Sequence, residues 1–356
     1  MIWQTYGYRF MLCTLILSFG LIAWQMSEIR HNEKHHLSSI VSNDQLSDSS
    51  TFVAISVNTD IRYAYLLPFI AEGWQRCGVQ PVMVLIEDES IWRNNNCTSV
   101  ILDYLHKRKV LVRHLSSRSL IDKYTSRALS KTSRLAVPHI LKKMGLPSNT
   151  VLWTGDADVI PLKCDYFRSI PRVMKERNVQ VYMDGPYDMS IPRYLMCYIS
   201  AYLSSWYNLT EEGASIEEVM EKTLSVENVQ IAYNNPNRTK PGHGFDELFV
   251  GRRIKKLWCF PNCTTHSQPP VRDYNKENRG PGRPPFTWAE ALGNNSQATL
   301  DFLGTLTEAH TGSQGTDPFY GKNAWPLLHG LIAIFMERDV VNRLSDFVTH
   351  FFQLNC

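Results

Sequence analysis

Short apolar runs recur along the first half of the chain at residues 52–57, 82–86, 110–112, 151–153 and 179–183. Stretches of helix length separate several of them: 63–76, 98–107 and 132–144 carry apolar residues at helical spacing. A run of four to eight apolar residues bounded by polar turns reads as a buried strand. Strand and helix in alternation leave few solutions, because each parallel strand pair needs a crossover that covers a sheet face. The expectation is an α/β fold, a mostly parallel sheet with helices on both faces. Ligands of such sheets bind beyond the carboxyl ends of the strands. Chemistry is therefore to be sought there.

Ahead of this pattern lies a different kind of sequence. Residues 10–26 (FMLCTLILSFGLIAWQM) form a 17-residue stretch without a charge, between Arg9 and Glu28. About 17–25 residues span a bilayer as a helix, and Tyr6, Tyr8 and Trp24 suit its interfaces. The apolar run continues past Ser18-Phe19-Gly20, the site a signal peptidase would need, so an uncleaved signal-anchor is expected. A span this short suits the thinner early secretory membranes. Residues 1–9 then form a cytosolic stub, 27–50 a polar flexible stem, and 51–356 one luminal domain. That domain divides into a nucleotide-binding half at about 51–171 and an acceptor half at about 172–356. At about 150 residues per domain, length alone suggests more than two domains.

N-x-Ser/Thr sequons at Asn96, Asn208, Asn237, Asn262 and Asn294 follow the span, which favours a luminal carboxyl-terminal side. Of eight cysteines, Cys13 lies in the span. Cys77, Cys97, Cys164, Cys197, Cys259, Cys263 and Cys356 remain on the oxidising side. Their odd number leaves one free or paired between chains, as in a disulfide-linked oligomer, and spacing does not reveal the pairing. Cys259 and Cys263 lack a second ligand pair for zinc. The formal charge of +3, from 37 basic and 34 acidic residues, offers no electrostatic footprint for nucleic acid.

The strand at 151–153 runs through Thr154 and Gly155 into Asp156-Ala157-Asp158. Asp-x-Asp alone is a weak pattern; its place at a strand end gives it meaning. In an extended chain, residues two apart point the same way, so both carboxylates can reach one hard cation. Mn²⁺ or Mg²⁺ prefers such oxygen ligands and keeps positions open for phosphate.

The helix-like Ser133-Arg134-Leu135-Ala136-Val137-Pro138-His139-Ile140-Leu141, followed by that strand and Asp156-Ala157-Asp158, resembles metal-dependent GT-A glycosyltransferases. The similarity is nearest to the glycogenin-like family. Ser56-Val57-Asn58-Thr59-Asp60 with Tyr63 resembles that family's first strand and uridine-binding turn, so the likeness covers about 51–171. It implies a Rossmann-like GT-A fold and a nucleotide-sugar donor, a UDP-sugar in this family. Mn²⁺ would bridge Asp156, Asp158 and the diphosphate. The implied donor contacts are Val57, Asn58, Thr59, Tyr63, Arg134, Asp156, Ala157 and Asp158. Arg134 would give a permanently charged, planar donor to phosphate or sugar; a salt-bridged helix residue is its plainer role.

A second acidic segment is Gly242-His243-Gly244-Phe245-Asp246-Glu247-Leu248-Phe249. It looks like the turn and acidic pair of many inverting GT-A enzymes, in which one carboxylate is the general base toward the acceptor hydroxyl. Asp246 and Glu247 are both candidates, worth about 10²–10⁴-fold in rate as a positioned base. Acids in a first helical turn also suit the helix dipole with no catalytic role. His310 is the first choice of third metal ligand, ahead of His329 and His243. Gly321-Lys322-Asn323-Ala324-Trp325 departs from the retaining family's Gly-x-x-Lys-Pro-Trp run, so retention and inversion both stay open.

The expected function is thus Mn²⁺-dependent transfer of a sugar from a nucleotide-sugar donor to a glycan or glycoprotein, by a single-pass type II protein of the Golgi or endoplasmic reticulum membrane. A non-catalytic, membrane-tethered glycan-binding protein is the competing class. A glycoside hydrolase with two carboxylates is a further one. Residues 268–285, crowded with Pro, Gly and charge, read as an exposed loop, and 324–352 as helices packed on the core.

Overall fold

A computed structural model describes residues 51–168, 179–181, 196–258, 308–310 and 325–356. The expected stub, anchor and stem at 1–50, the expected loop at 268–285, Cys259, Cys263, Asn262 and Asn294 lie outside the described residues. Among the described residues no helix is long and apolar enough to cross a membrane.

The strands among the described residues are β1 (Thr51–Val57), β2 (Val79–Ile86), β3 (Leu111–Leu115), β4 (Val151–Thr154), β5 (Val159–Pro161), β6 (Val179–Val181), β7 (Ile199–Tyr202) and β8 (Glu308–His310). Six form one sheet in the order β3-β2-β1-β4-β7-β6, and β5 pairs with β8 apart from it. β1 runs parallel to β2 and to β4, and β2 to β3. β7 is antiparallel to both β4 and β6, so one strand of six opposes the rest. The chain moves outward from β1 through β2 to β3, then returns to β4 on the other side of β1. That reversal opens a crevice at the carboxyl ends of β1 and β4.

Alternation along each strand sorts the core onto two faces. Val53, Ile55, Met83, Leu85 and Trp153 belong to one buried cluster, with the helices Leu67–Arg76, Asn96–Lys107 and Arg338–Gln353. Phe52, Ala54, Val82, Val84 and Leu152 belong to a second, with Val137–Lys143, Leu203–Leu209 and Phe245–Trp258. Helices cover both faces, as the strand–helix alternation requires.

Proline resets two helices. The stretch expected as one helix at 63–76 is two, Ile61–Ala64 and Leu67–Arg76, the second starting with Pro68 in its first turn. The stretch at 132–144 divides into Ser126–Thr132, a 3₁₀ turn at Ser133–Ala136 and Val137–Lys143, where Pro138 again opens a helix. Proline lacks an N–H and favours a helix's first turn, where that donor has no partner. β3 begins one residue later than the apolar run and extends to Leu115.

Two disulfides tie the periphery to this core: Cys77–Cys164 and Cys97–Cys356, the latter closing a separation of 259 residues. Cys197 is buried and belongs to neither of these disulfides. Glu72, 1% exposed, accepts from Tyr104 Oη at 2.8 Å and pairs with Arg108 Nε at 2.7 Å and Arg343 Nη2 at 3.0 Å. One carboxylate thereby locks the last helix to the first face of the sheet.

Candidate functional site

The crevice at the strand reversal is a cavity of about 430 Å³ lined by Ser56, Val57, Asn58, Asp60, Arg62, Tyr63, Arg127, Ser130, Lys131, Arg134, Asp156, Ala157, Asp158, Asp246 and Glu247. Of the contacts expected from sequence, it brings together Val57, Asn58, Tyr63, Arg134, Asp156, Ala157, Asp158, Asp246 and Glu247. Thr59 is exposed on the connecting turn and does not line it. Four separate segments meet here, the two acidic ones 90 residues apart at Asp156 and Asp246.

β4 ends at Thr154, and Gly155 crosses behind β1. Its N–H donates to the Ala54 carbonyl at 2.9 Å, and a Cβ placed on it would stand 2.9 Å from Val53 Cγ2. Only glycine admits this approach, which delivers Asp156 to the cavity. Ala157 and Asp158 then form a turn rather than continuing the strand. The expectation that an extended chain aligns the two carboxylates is corrected accordingly: a turn and the shared cavity wall bring them together.

Asn58 shapes the neighbouring wall. Its Oδ1 accepts from the Asp60 N–H at 3.2 Å and its Nδ2 donates to Ser126 Oγ at 3.2 Å. Asp60 caps the following helix and pairs with Arg62 at 2.6 Å; that hydrogen bond holds the Asp60 carboxyl below its ordinary range. Tyr63, half-buried, packs on the core beneath the cavity.

Arg134 is the centre of the arrangement. It is 6% exposed, yet its guanidinium reaches three segments. Nε donates to the Lys131 carbonyl at 3.0 Å, and Nη1 to the Gly155 carbonyl at 2.9 Å and to Asp156 Oδ1. Nη2 donates to Asp246 Oδ2 at 2.8 Å. Burial opposes its charge, but Asp156 and then Asp246 more than compensate and raise its pKa further above the usual range. The salt-bridged role is therefore the one seen.

Asp246 and Glu247 open the helix Phe245–Trp258, as expected. Gly244, with φ of 73°, makes the preceding turn in a region side chains rarely enter. Asp246 is 1% exposed and held by Arg134, whereas Glu247 is half-buried on the cavity wall. His243 lies at the rim, its Nε2 3.1 Å from Lys131 Nζ.

The hard carboxylate oxygens of Asp156 and Asp158 on one wall fit a divalent cation of the Mn²⁺ or Mg²⁺ class, with one Asp156 oxygen shared by Arg134. Among the described residues no group of three or more His, Cys, Asp or Glu side chains is assembled for a metal. His310 pairs through its backbone with Val159, one residue beyond Asp158; its side chain lies outside the described residues. His329 packs against Trp325, and burial lowers its pKa. It does not line the cavity, nor does His243.

The sequence reading missed Arg62, Arg127 and Lys131 among the lining residues. The i, i+4 spacing of Arg127 and Lys131 was the available signal. Comparison of the chain with protein-family models and with curated protein sequences gives no match.

Proposed function

We propose that the protein is a metal-dependent glycosyltransferase that takes a sugar from a nucleotide-sugar donor, a UDP-sugar by its sequence resemblance, and passes it to a glycan or glycoprotein. The observation that carries this reading is the single cavity at the carboxyl ends of β1 and β4. It gathers the strand-end turn at Asn58, Asp156 and Asp158, and the acidic helix start at Asp246 and Glu247.

Asp156 and Asp158 would hold Mn²⁺ or Mg²⁺, which supplies Lewis-acid stabilisation of a departing diphosphate. The chain's own residues divide the remaining work. Arg134 holds the Asp156 and Asp246 carboxylates in register, so the cavity is shaped before a ligand enters. Asp246 is buried within that pair and serves as an anchor. Glu247, accessible on the wall, is the better-placed proton acceptor for an incoming hydroxyl in an inverting reaction. Tyr63 presents a partly exposed ring beside β1 for the base.

The compartment belongs to the same proposal: anchoring by 10–26 and a luminal domain in the Golgi or endoplasmic reticulum. Two intrachain disulfides suit an oxidising lumen, and Asn96, Asn208 and Asn237 are all exposed. The test is a screen of UDP- and GDP-sugars with Mn²⁺ and the purified protein, read as donor hydrolysis or transfer. Activity that Asp158→Asn abolishes without changing the unfolding midpoint is expected. No binding or turnover of any donor would sink the reading.

A further inference from the structure

The cavity's four cations fall into two sets. Arg62 is paired with Asp60, and Arg134 with Asp156 and Asp246. A guanidinium has five N–H donors, and Arg134 directs four of them to two carbonyls and two carboxylates. Little of Arg134 is left for a ligand, and its burial leaves scarcely any of it in contact with solvent.

Arg127 and Lys131 differ in each respect. They stand four residues apart on the Ser126–Thr132 helix, so their side chains share a face, and both line the cavity. Arg127 is exposed, Lys131 half-buried, and among the described residues neither is in an ion pair. Like charges at this spacing repel by about 0.2–0.5 kcal/mol, a cost that an anion between them reverses. The helix that carries them is tied to β1, because Ser56 Oγ donates to the Ser130 carbonyl. Lys131 Nζ is also steered by His243 Nε2 at 3.1 Å. The helix thereby sets both residues on the same cavity as Asp156 and Asp158.

We infer that Arg127 and Lys131 form the anion subsite of this cavity and hold the diphosphate of a phosphorylated ligand, the contact that sequence resemblance would have given to Arg134. This rests on the proposed nucleotide-sugar reading for the identity of the ligand, though not for its charge. The arrangement is chemically balanced: a diphosphate would meet two cations on one side and the Asp156–Asp158 wall, with any cation it holds, on the other.

The test is calorimetric titration of the full chain with inorganic pyrophosphate and, separately, with UDP, each with and without Mn²⁺. Arg127→Gln with Lys131→Gln is expected to weaken pyrophosphate binding about 10-fold or more, as loss of a charge-assisted hydrogen bond does. Lys131→Arg, which keeps the charge, retains it. Arg118→Gln removes an exposed cation away from the cavity and leaves affinity unchanged. Unfolding midpoints check that each variant is folded. Wild-type protein that fails to bind pyrophosphate, or variants that bind it as wild type does, would overturn the inference. UDP bound equally by wild type and double variant would overturn it while leaving the transferase reading intact. Pyrophosphate binding that the double variant loses, with no UDP or nucleotide-sugar binding, would uphold the subsite and remove the transferase reading.

Discussion

Arg134 Nη2 lies 2.8 Å from Asp246 Oδ2, a buried ion pair that joins the 3₁₀ turn before β4 to a helix 112 residues later in the chain. With Asp156 on the same guanidinium, this contact unites the two acidic segments of the site.

Breaking the pair leaves a charge without its counterpart inside the protein. Arg134→Met is expected to lower unfolding free energy by about 3–5 kcal/mol, because Asp246 then stays buried without its partner. Restoring neutrality in the double variant Arg134→Met, Asp246→Leu recovers much of that stability while the cavity loses its shape. Denaturant unfolding of the single and double variants measures both, and additive losses would show that the two residues do not interact.

Gly155 is a packing constraint with a functional consequence. A methyl group there meets Val53 Cγ2 at 2.9 Å and Ile55 Cγ1 at 3.3 Å, so these buried side chains must give way. Gly155→Ala is expected to cost about 1–3 kcal/mol. It also moves Asp156, so pyrophosphate or nucleotide binding falls along with the thermal midpoint. A variant with wild-type midpoint would show that this approach is not tight.

The Glu72 carboxylate is the fixed point of the carboxyl-terminal helix. Glu72→Ala removes the acceptor of Tyr104, Arg108 and Arg343 together. Because both arginines remain about one-third exposed, the loss is smaller than for a fully buried pair, about 1–3 kcal/mol. Hydrogen exchange is expected to rise first in Arg338–Gln353, held there by the Cys97–Cys356 disulfide but no longer packed as tightly. Uniform acceleration across the domain would contradict this local role.

His139 gives stability a pH dependence. Its Nε2 is 2.7 Å from Thr210 Oγ1, and the Thr210 hydroxyl already donates to the Trp206 carbonyl at 2.9 Å. His139 Nε2 must therefore carry the proton, in a neutral ring. Burial lowers its pKa from 6.5 to about 4. The unfolded chain binds this proton first, so the stabilising term is complete above pH 6.5. It shrinks as pH falls toward 4, by at most about 3 kcal/mol. Depressed carboxylates such as Asp60 act only below about 3.8, outside that window. His114 and His329, whose pKa values burial also lowers, add to the same slope, so His139→Gln should reduce it between pH 4 and 6.5 without removing it; an unchanged slope would assign it to those groups alone.

Much of the site was readable in the chain because it sits where strands end. The runs at 52–57 and 151–153 mark β1 and β4, and Asn58, Asp60, Asp156 and Asp158 after them line one cavity. The second half was less legible. β7 and β8 have only four and three residues, too few to show a period. β7 nonetheless enters the sheet beside β4 as its one reversed strand. The cysteine pairing was hidden for a related reason: Cys97 and Cys356 meet only because the last helix folds back along Asn96–Lys107.

Hydrophobic period and turn chemistry are local properties, so the α/β class, the two-faced sheet and the acidic strand end could be read from the chain alone. What each charge does follows from the folded arrangement. Arg134 became a buried bridge and Arg127 with Lys131 the more accessible cations of the wall, because burial and ion pairing depend on partners more than twenty residues away. No local pattern distinguishes a guanidinium whose donors are already taken from one still open to a ligand.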